Sequence, residues 1–127
     1  MARSGGFSRQ AGSVKPDARH RAEIRRIAKE LAELAGSGAV LPGTIAERMT
    51  RCGRANCACH GDPPRRHGPY WHWTRKVANK TVGRWMDADQ AAEYQAWVEN
   101  AHRIRELVAR LEAVGLDTVE ADPRWNR

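Results

Sequence analysis

Three cysteines fall within eight residues, Cys52, Cys57 and Cys59, in the spacing C-x4-C-x-C. An odd number cannot all pair within one chain, and cysteines packed this tightly leave little room for strain-free disulfides. Thiolate ligation of a metal ion accounts for them better, and thiolates with imidazole are the donors Zn²⁺ prefers in a closed set of four. Candidates for the fourth ligand are His60, His67 and His72. His67 is preferred, because His60 adjoins a ligating cysteine and has little freedom to turn back to the same ion. The loop Gly61 to Arg66, with Pro63-Pro64, gives His67 room to return. His72, in a strand, would face outward or stack. Gly53 directly after Cys52 would let the backbone bend so that amide N–H groups approach sulfur. The predicted metal set is therefore Cys52, Cys57, Cys59 and His67, holding Zn²⁺.

A catalytic ion needs an open coordination position and usually a nearby acid or base. Asp62 is the only carboxylate between Arg51 and Met86. The metal is thus expected to be structural, and no enzymatic activity is expected. A structural ion also suits the length, since a chain of 127 residues with two weakly patterned ends has little core to stabilise it. Cysteines used as thiolates suit a reducing compartment, and no apolar stretch is long enough to cross a membrane or serve as a secretory signal. A cytoplasmic protein without membrane contact is the expectation.

The net charge of +7 is unevenly placed. Residues 51–86 carry eight basic groups and one acidic, whereas residues 87–127 carry five basic and nine acidic. Concentration of positive charge on one segment points to a polyanion partner, most often nucleic acid. The same segment carries Tyr70-Trp71-His72-Trp73-Thr74-Arg75-Lys76, in which Tyr70, His72 and Thr74 alternate with Trp71, Trp73 and Arg75. Tyr70–Val77 and Lys80–Met86 read as two strands about a turn at Ala78-Asn79. Trp85 would lie across from His72 or Trp73, depending on whether the turn holds two or three residues. Cations neutralise phosphates, and exposed rings stack on bases. The predicted nucleic-acid contacts are Arg54, Arg65, Arg66, Tyr70, Trp71, Trp73, Arg75, Lys76, Lys80 and Arg84. A domain this small also needs bulky core residues, and at least two of these tryptophans are expected to serve as such.

Around this segment the pattern is helical. Ile24, Ile27, Leu31 and Leu34 recur at steps of three and four, predicting a helix from Asp17 to Ala35 that stops at Gly36-Ser37-Gly38. Asp87 and Gln90 form a capping box for a second helix, which Gly115 should end near Val114. Its apolar face would comprise Tyr94, Trp97, Ala101, Ile104, Leu107, Val108, Leu111 and Val114. Both stripes are narrow, so the helices should pair antiparallel within the chain or between two chains as a homodimer. Leu41-Pro42-Gly43 reads as a turn, followed by a short strand over Thr44–Arg51 that delivers Cys52. Residues 1–16 read as a flexible basic arm, 17–115 as one zinc-stabilised domain, and 116–127 as an aperiodic tail. The fold class expected is α+β: a zinc-bound knuckle and a small antiparallel sheet framed by two helices.

Three motifs in this order, Leu41-Pro42-Gly43, Cys52-Gly53-Arg54-Ala55-Asn56-Cys57-Ala58-Cys59 and His67-Gly68-Pro69-Tyr70, followed by the aromatic-basic hairpin and a long helix, resemble a family of short bacterial and archaeal proteins of unknown function. The resemblance covers about residues 40–112 and implies that Cys52, Cys57, Cys59 and His67 belong together. Such proteins are often loosely described as transposase-related, which implies an accessory or regulatory role beside a mobile element. Ala78-Asn79-Lys80 departs from the asparagine-glycine turn expected there and leaves the hairpin register open. The expected function is a zinc-stabilised nucleic-acid-binding protein, with DNA ahead of RNA. The alternatives are a protein-interaction or dimerisation adaptor with incidental charge, and an RNA-binding component of a ribonucleoprotein.

Overall fold

The computed structural model describes residues 14–126, and the first thirteen residues of the expected basic arm lie outside them. The fold is α+β, with two helices, α1 (Ala18–Gly36) and α2 (Ala88–Glu120), and three strands, β1 (Thr44–Thr50), β2 (His67–Val77) and β3 (Lys80–Met86). Of the described residues, 14–34 with 104–126 make one compact unit, and 35–103 make the other.

In the first unit Asp17 caps α1, its carboxylate accepting the His20 amide at 2.8 Å. Ile27 is fully buried, and the rest of the predicted stripe, Ile24, Leu31 and Leu34, is half-buried. On the C-terminal half of α2, Leu107 and Val114 are buried. Glu23 pairs with Arg110 at 3.3 Å and His20 meets Asp117 at 3.7 Å, so residue numbers rise on one helix as they fall on the other. The helices are therefore antiparallel within the chain. In that register Ile27 stands level with Leu107, each almost without solvent exposure.

The second helix corrects two expectations. It does not end at Gly115 but continues to Glu120, so part of the expected aperiodic tail is helical. A glycine costs roughly 1 kcal/mol in a helix interior. Beyond it Asp117 meets His20, and the Thr118 hydroxyl donates to the Val114 carbonyl at 2.8 Å. The chain leaves the helix only before Pro123, which opens a short 3₁₀ turn over Pro123–Asn126. Asp122 there is nearly buried and takes a forked pair of hydrogen bonds from Arg124. The second correction is to the stripe: Val108 is exposed, whereas Ala91 and Val98, outside the expected face, are buried.

In the second unit the strands form one antiparallel sheet in the order β1-β2-β3. The hairpin turn is the two-residue Ala78-Asn79, with Val77 paired to Lys80. Both turn residues have positive φ, 51° and 67°, as the turns that match strand twist require. Asparagine visits that region readily and alanine does not, yet the register holds without the expected asparagine-glycine pair. It sets His72 opposite Trp85 and Trp73 opposite Arg84. On the other side Arg48 pairs with Tyr70 and Ala46 with His72.

The Leu41-Pro42-Gly43 turn is an anchor for this unit. The Leu41 amide donates to the Trp97 carbonyl at 3.1 Å, the Trp73 indole N–H to the Pro42 carbonyl at 2.8 Å, and His102 Nε2 to the Gly43 carbonyl at 2.8 Å. Gly43 has φ +108°, and a Cβ there would collide with the Thr74 carbonyl. One turn thereby ties β2 to the first half of α2. That half begins with the predicted capping box: Asp87 and Gln90 exchange amide-to-side-chain hydrogen bonds of 3.0 and 2.8 Å.

Candidate metal centre and basic aromatic sheet

The segment between β1 and β2 is built of tight turns. The Cys57 amide donates to the Arg54 carbonyl at 3.2 Å, and Cys57 then precedes a 3₁₀ turn over Ala58–His60. Within that turn His60 and Gly61 amides bond back to Cys57 and Ala58, and the Arg65 amide bonds to Ala58 at 2.9 Å. These turns present Cys57 and Cys59 from one side, while the end of β1 supplies Cys52 and the first residue of β2 supplies His67.

The donor atoms of Cys52, Cys57, Cys59 and His67 all lie within 4.8 Å of one another. Ligands roughly 2.0–2.3 Å from a tetrahedral centre stand about 3.4–3.8 Å apart. Cys52 and Cys59 sulfurs are 3.5 Å apart, and Cys57 Sγ is 3.3 Å from His67 Nε2. The four residues chosen from sequence can therefore hold a metal ion. His60 has another role: its Nε2 donates to the Cys52 carbonyl at 2.7 Å and so fastens the loop. His72 is absent from the cluster and stacks on Trp85.

The surroundings favour thiolate at Cys57 but not at Cys52, where the Arg54 backbone lowers the thiol while burial with the Cys59 and Cys57 side chains pushes it up further. Cys59 is fully buried, and its sulfur receives the Cys52 amide at 3.3 Å. The Cys57 thiol is lowered to about 6, first by a backbone hydrogen bond from Cys59 and then by the Cys52 and Cys59 side chains, with His67 adding to the effect. Gly53 corrects an expectation. A Cβ there would meet nothing within 4 Å and its φ is not positive, and the amides that meet sulfur belong to Cys52 and Cys59. Gly68, after the histidine ligand, is the constrained glycine: its φ is +129°, and a Cβ would lie 2.8 Å from the Arg48 carbonyl.

The predicted nucleic-acid contacts are distributed over both faces of the sheet and the knuckle. Arg54, Arg65 and Arg66 are exposed on the metal loop. By strand alternation Tyr70 and Lys76 share one face, with Arg48 of β1 and Trp85 of β3. Trp71, Trp73, Arg75, Lys80 and Arg84 share the other. Trp71 and Trp73 are half-buried. Trp73 also lines a cleft of about 380 Å³ with Met86, Tyr94 and Trp97, and the Arg75 guanidinium lies over its ring at 4.9 Å. Two of the three tryptophans are thus partly covered, but neither is among the buried core residues that the sequence led us to expect. The predicted set lacked Trp85, 58% exposed, together with His72 and Arg48. Fixing the turn at two residues would have placed Trp85 opposite His72 from sequence alone.

Among the described residues, Arg48, Arg51, Arg54, Arg65, Arg66, Arg75, Lys76, Lys80 and Arg84 take part in no ion pair, whereas Arg110 of the helical unit and Arg124 of the C-terminal turn do. Among the described residues no helix is long and apolar enough to cross a membrane. No curated protein and no solved structure matches the chain. A family model does match, over residues 18–96, a span that takes in α1, the sheet, the metal cluster and the start of α2. The chain thus belongs to the family described as a domain of unknown function, DUF6788.

Proposed function

We propose that the protein is a zinc-stabilised nucleic-acid-binding module that acts by binding rather than by catalysis. The observation that carries this reading is the set of cations between Arg48 and Arg84 without carboxylate partners, on a segment whose only acidic residue is Asp62. Cations left unpaired on one small unit are what a phosphate backbone neutralises, with release of its counterions. Zinc is the ion that a Cys₃His set fits by ligand softness and number. It would fix the loop bearing Arg54, Arg65 and Arg66 and the start of the strand bearing Tyr70 to Lys76. DNA stands ahead of RNA, and the association with a mobile element rests on the motif resemblance alone.

The test is a titration of the full, zinc-loaded chain against DNA and RNA oligonucleotides at several salt concentrations, followed by fluorescence anisotropy. Affinity should fall steeply with salt, and Arg65→Ala with Arg66→Ala should reduce the slope of log K against log salt by about one for each cation removed. Absence of binding at low salt would overturn the reading and leave the exposed rings as a surface for a protein partner. Tighter binding of RNA than of DNA at every salt would reverse the assigned preference.

A further inference from the structure

The exposed face of the sheet carries an aromatic arrangement that phosphate binding alone does not explain. The rings of His72 and Trp85 are stacked, with centroids 4.2 Å apart and planes 23° from parallel. Tyr70 meets Trp85 edge-on at 6.2 Å. With His72 stacked on its ring, Trp85 is still 58% exposed, and Tyr70 is 44% exposed. Gly83 makes the arrangement possible. It lies mid-strand and exposed, where glycine weakens a strand, and a Cβ there would run into the imidazole of His72. The glycine gives up strand stability and leaves room for the His72 ring.

This face also carries charge of one sign. Arg48, opposite Tyr70, marks one end, and Lys76 stands six residues along β2 at the other, about 20 Å away at the rise of a strand. Both are exposed, and neither they nor their register neighbours on this face include a carboxylate. Ring faces flanked by cations complement a strand whose bases are unpaired. A duplex hides its base faces, and the groove that admits a two-stranded ribbon has less room for a hairpin widened by a third strand.

We infer that the Tyr70–His72–Trp85 face stacks unpaired bases while Arg48 and Lys76 hold the flanking phosphates, so that the substrate class is single-stranded nucleic acid. This deepens the nucleic-acid reading and rests on it. Stacking is worth roughly 1–3 kcal/mol per base, a loss of order 5- to 150-fold per ring removed.

The experiment is an anisotropy titration of the full, zinc-loaded chain with a short thymidine oligonucleotide, its uridine counterpart, and a mixed-sequence duplex of equal length. Trp85→Ala, on an exposed ring, should keep the circular dichroism of the parent and weaken single-strand binding on the order of tenfold, with duplex binding unchanged. Gly83→Ala should displace His72 and weaken single-strand binding in the same direction. Preference for either single strand over duplex supports the inference, the thymidine and uridine arms distinguishing DNA from RNA. Equal binding of single strand and duplex, untouched by Trp85→Ala, would overturn the inference while leaving the nucleic-acid reading in place. No binding of any of the three would remove both.

Discussion

The helical pair and the metal loop are stabilised by opposite means. In the first, Ile27, Leu107 and Val114 are buried and two acid–base contacts align the helices, so its order follows from apolar burial. In the second, residues 51–66 are exposed except for Cys52, Cys57 and Cys59, and only Cys59 is fully buried. A segment with one buried side chain cannot offset the entropy of ordering some sixteen backbones by burial. Its geometry converges instead on four donor atoms, and a single ion bound there would supply what a core supplies elsewhere.

Metal removal should break this comparison most severely. Chelation, or Cys57→Ser, should abolish hydrogen-exchange protection over residues 51–68, while amides of α1 and of 104–120 remain protected. Apparent binding energies of structural zinc, about 10–16 kcal/mol in small peptides, indicate the scale. The converse change is Ile27→Ala, which should cost about 2–4 kcal/mol in denaturant unfolding of the helical unit and leave metal content untouched.

Two smaller changes sharpen the contrast between backbone-limited and cap-limited positions. Ala78→Asn with Asn79→Gly should stabilise the hairpin by about 1 kcal/mol, read as a higher unfolding midpoint, because alanine is strained at φ 51°. Asp17→Ala should lower the melting temperature by a few degrees at neutral pH through loss of the cap. The Asp17 carboxyl is held below its usual value of 3.8, first by the His20 amide and then by the charge of His20. Its contribution is therefore complete above that value and lost as pH falls through the lower folded-state value. The variant should lack this part of the acid dependence, a difference visible in melting curves taken between neutral and strongly acid pH.

Much of this was legible in the residues because the signals were local. Asp87 and Gln90 announced a capping box, Asp17 the start of a helix, and the cysteine spacing with His67 a four-donor cluster, and each depends on neighbours a few positions away. What the pattern hid depends on residues far apart. Gly115 looks like a terminator until Asp117 is seen to meet His20, about a hundred positions earlier. The aromatic stack was hidden for the same kind of reason. Trp85 and His72 meet only when the turn at Ala78-Asn79 closes with two residues, and an alanine at its first position leaves the length of that turn open. Gly83 reads as a mere weak point in a strand until the His72 ring is placed over it.

The most direct test of the central claim is the metal content of the purified chain by native mass spectrometry. One zinc ion per chain is predicted for the parent and for His60→Ala, whose side chain only fastens the Cys52 carbonyl, and none for Cys57→Ser, with His67→Ala binding the ion more weakly. A parent chain that is metal-free yet protected from exchange over residues 51–68 would contradict the account.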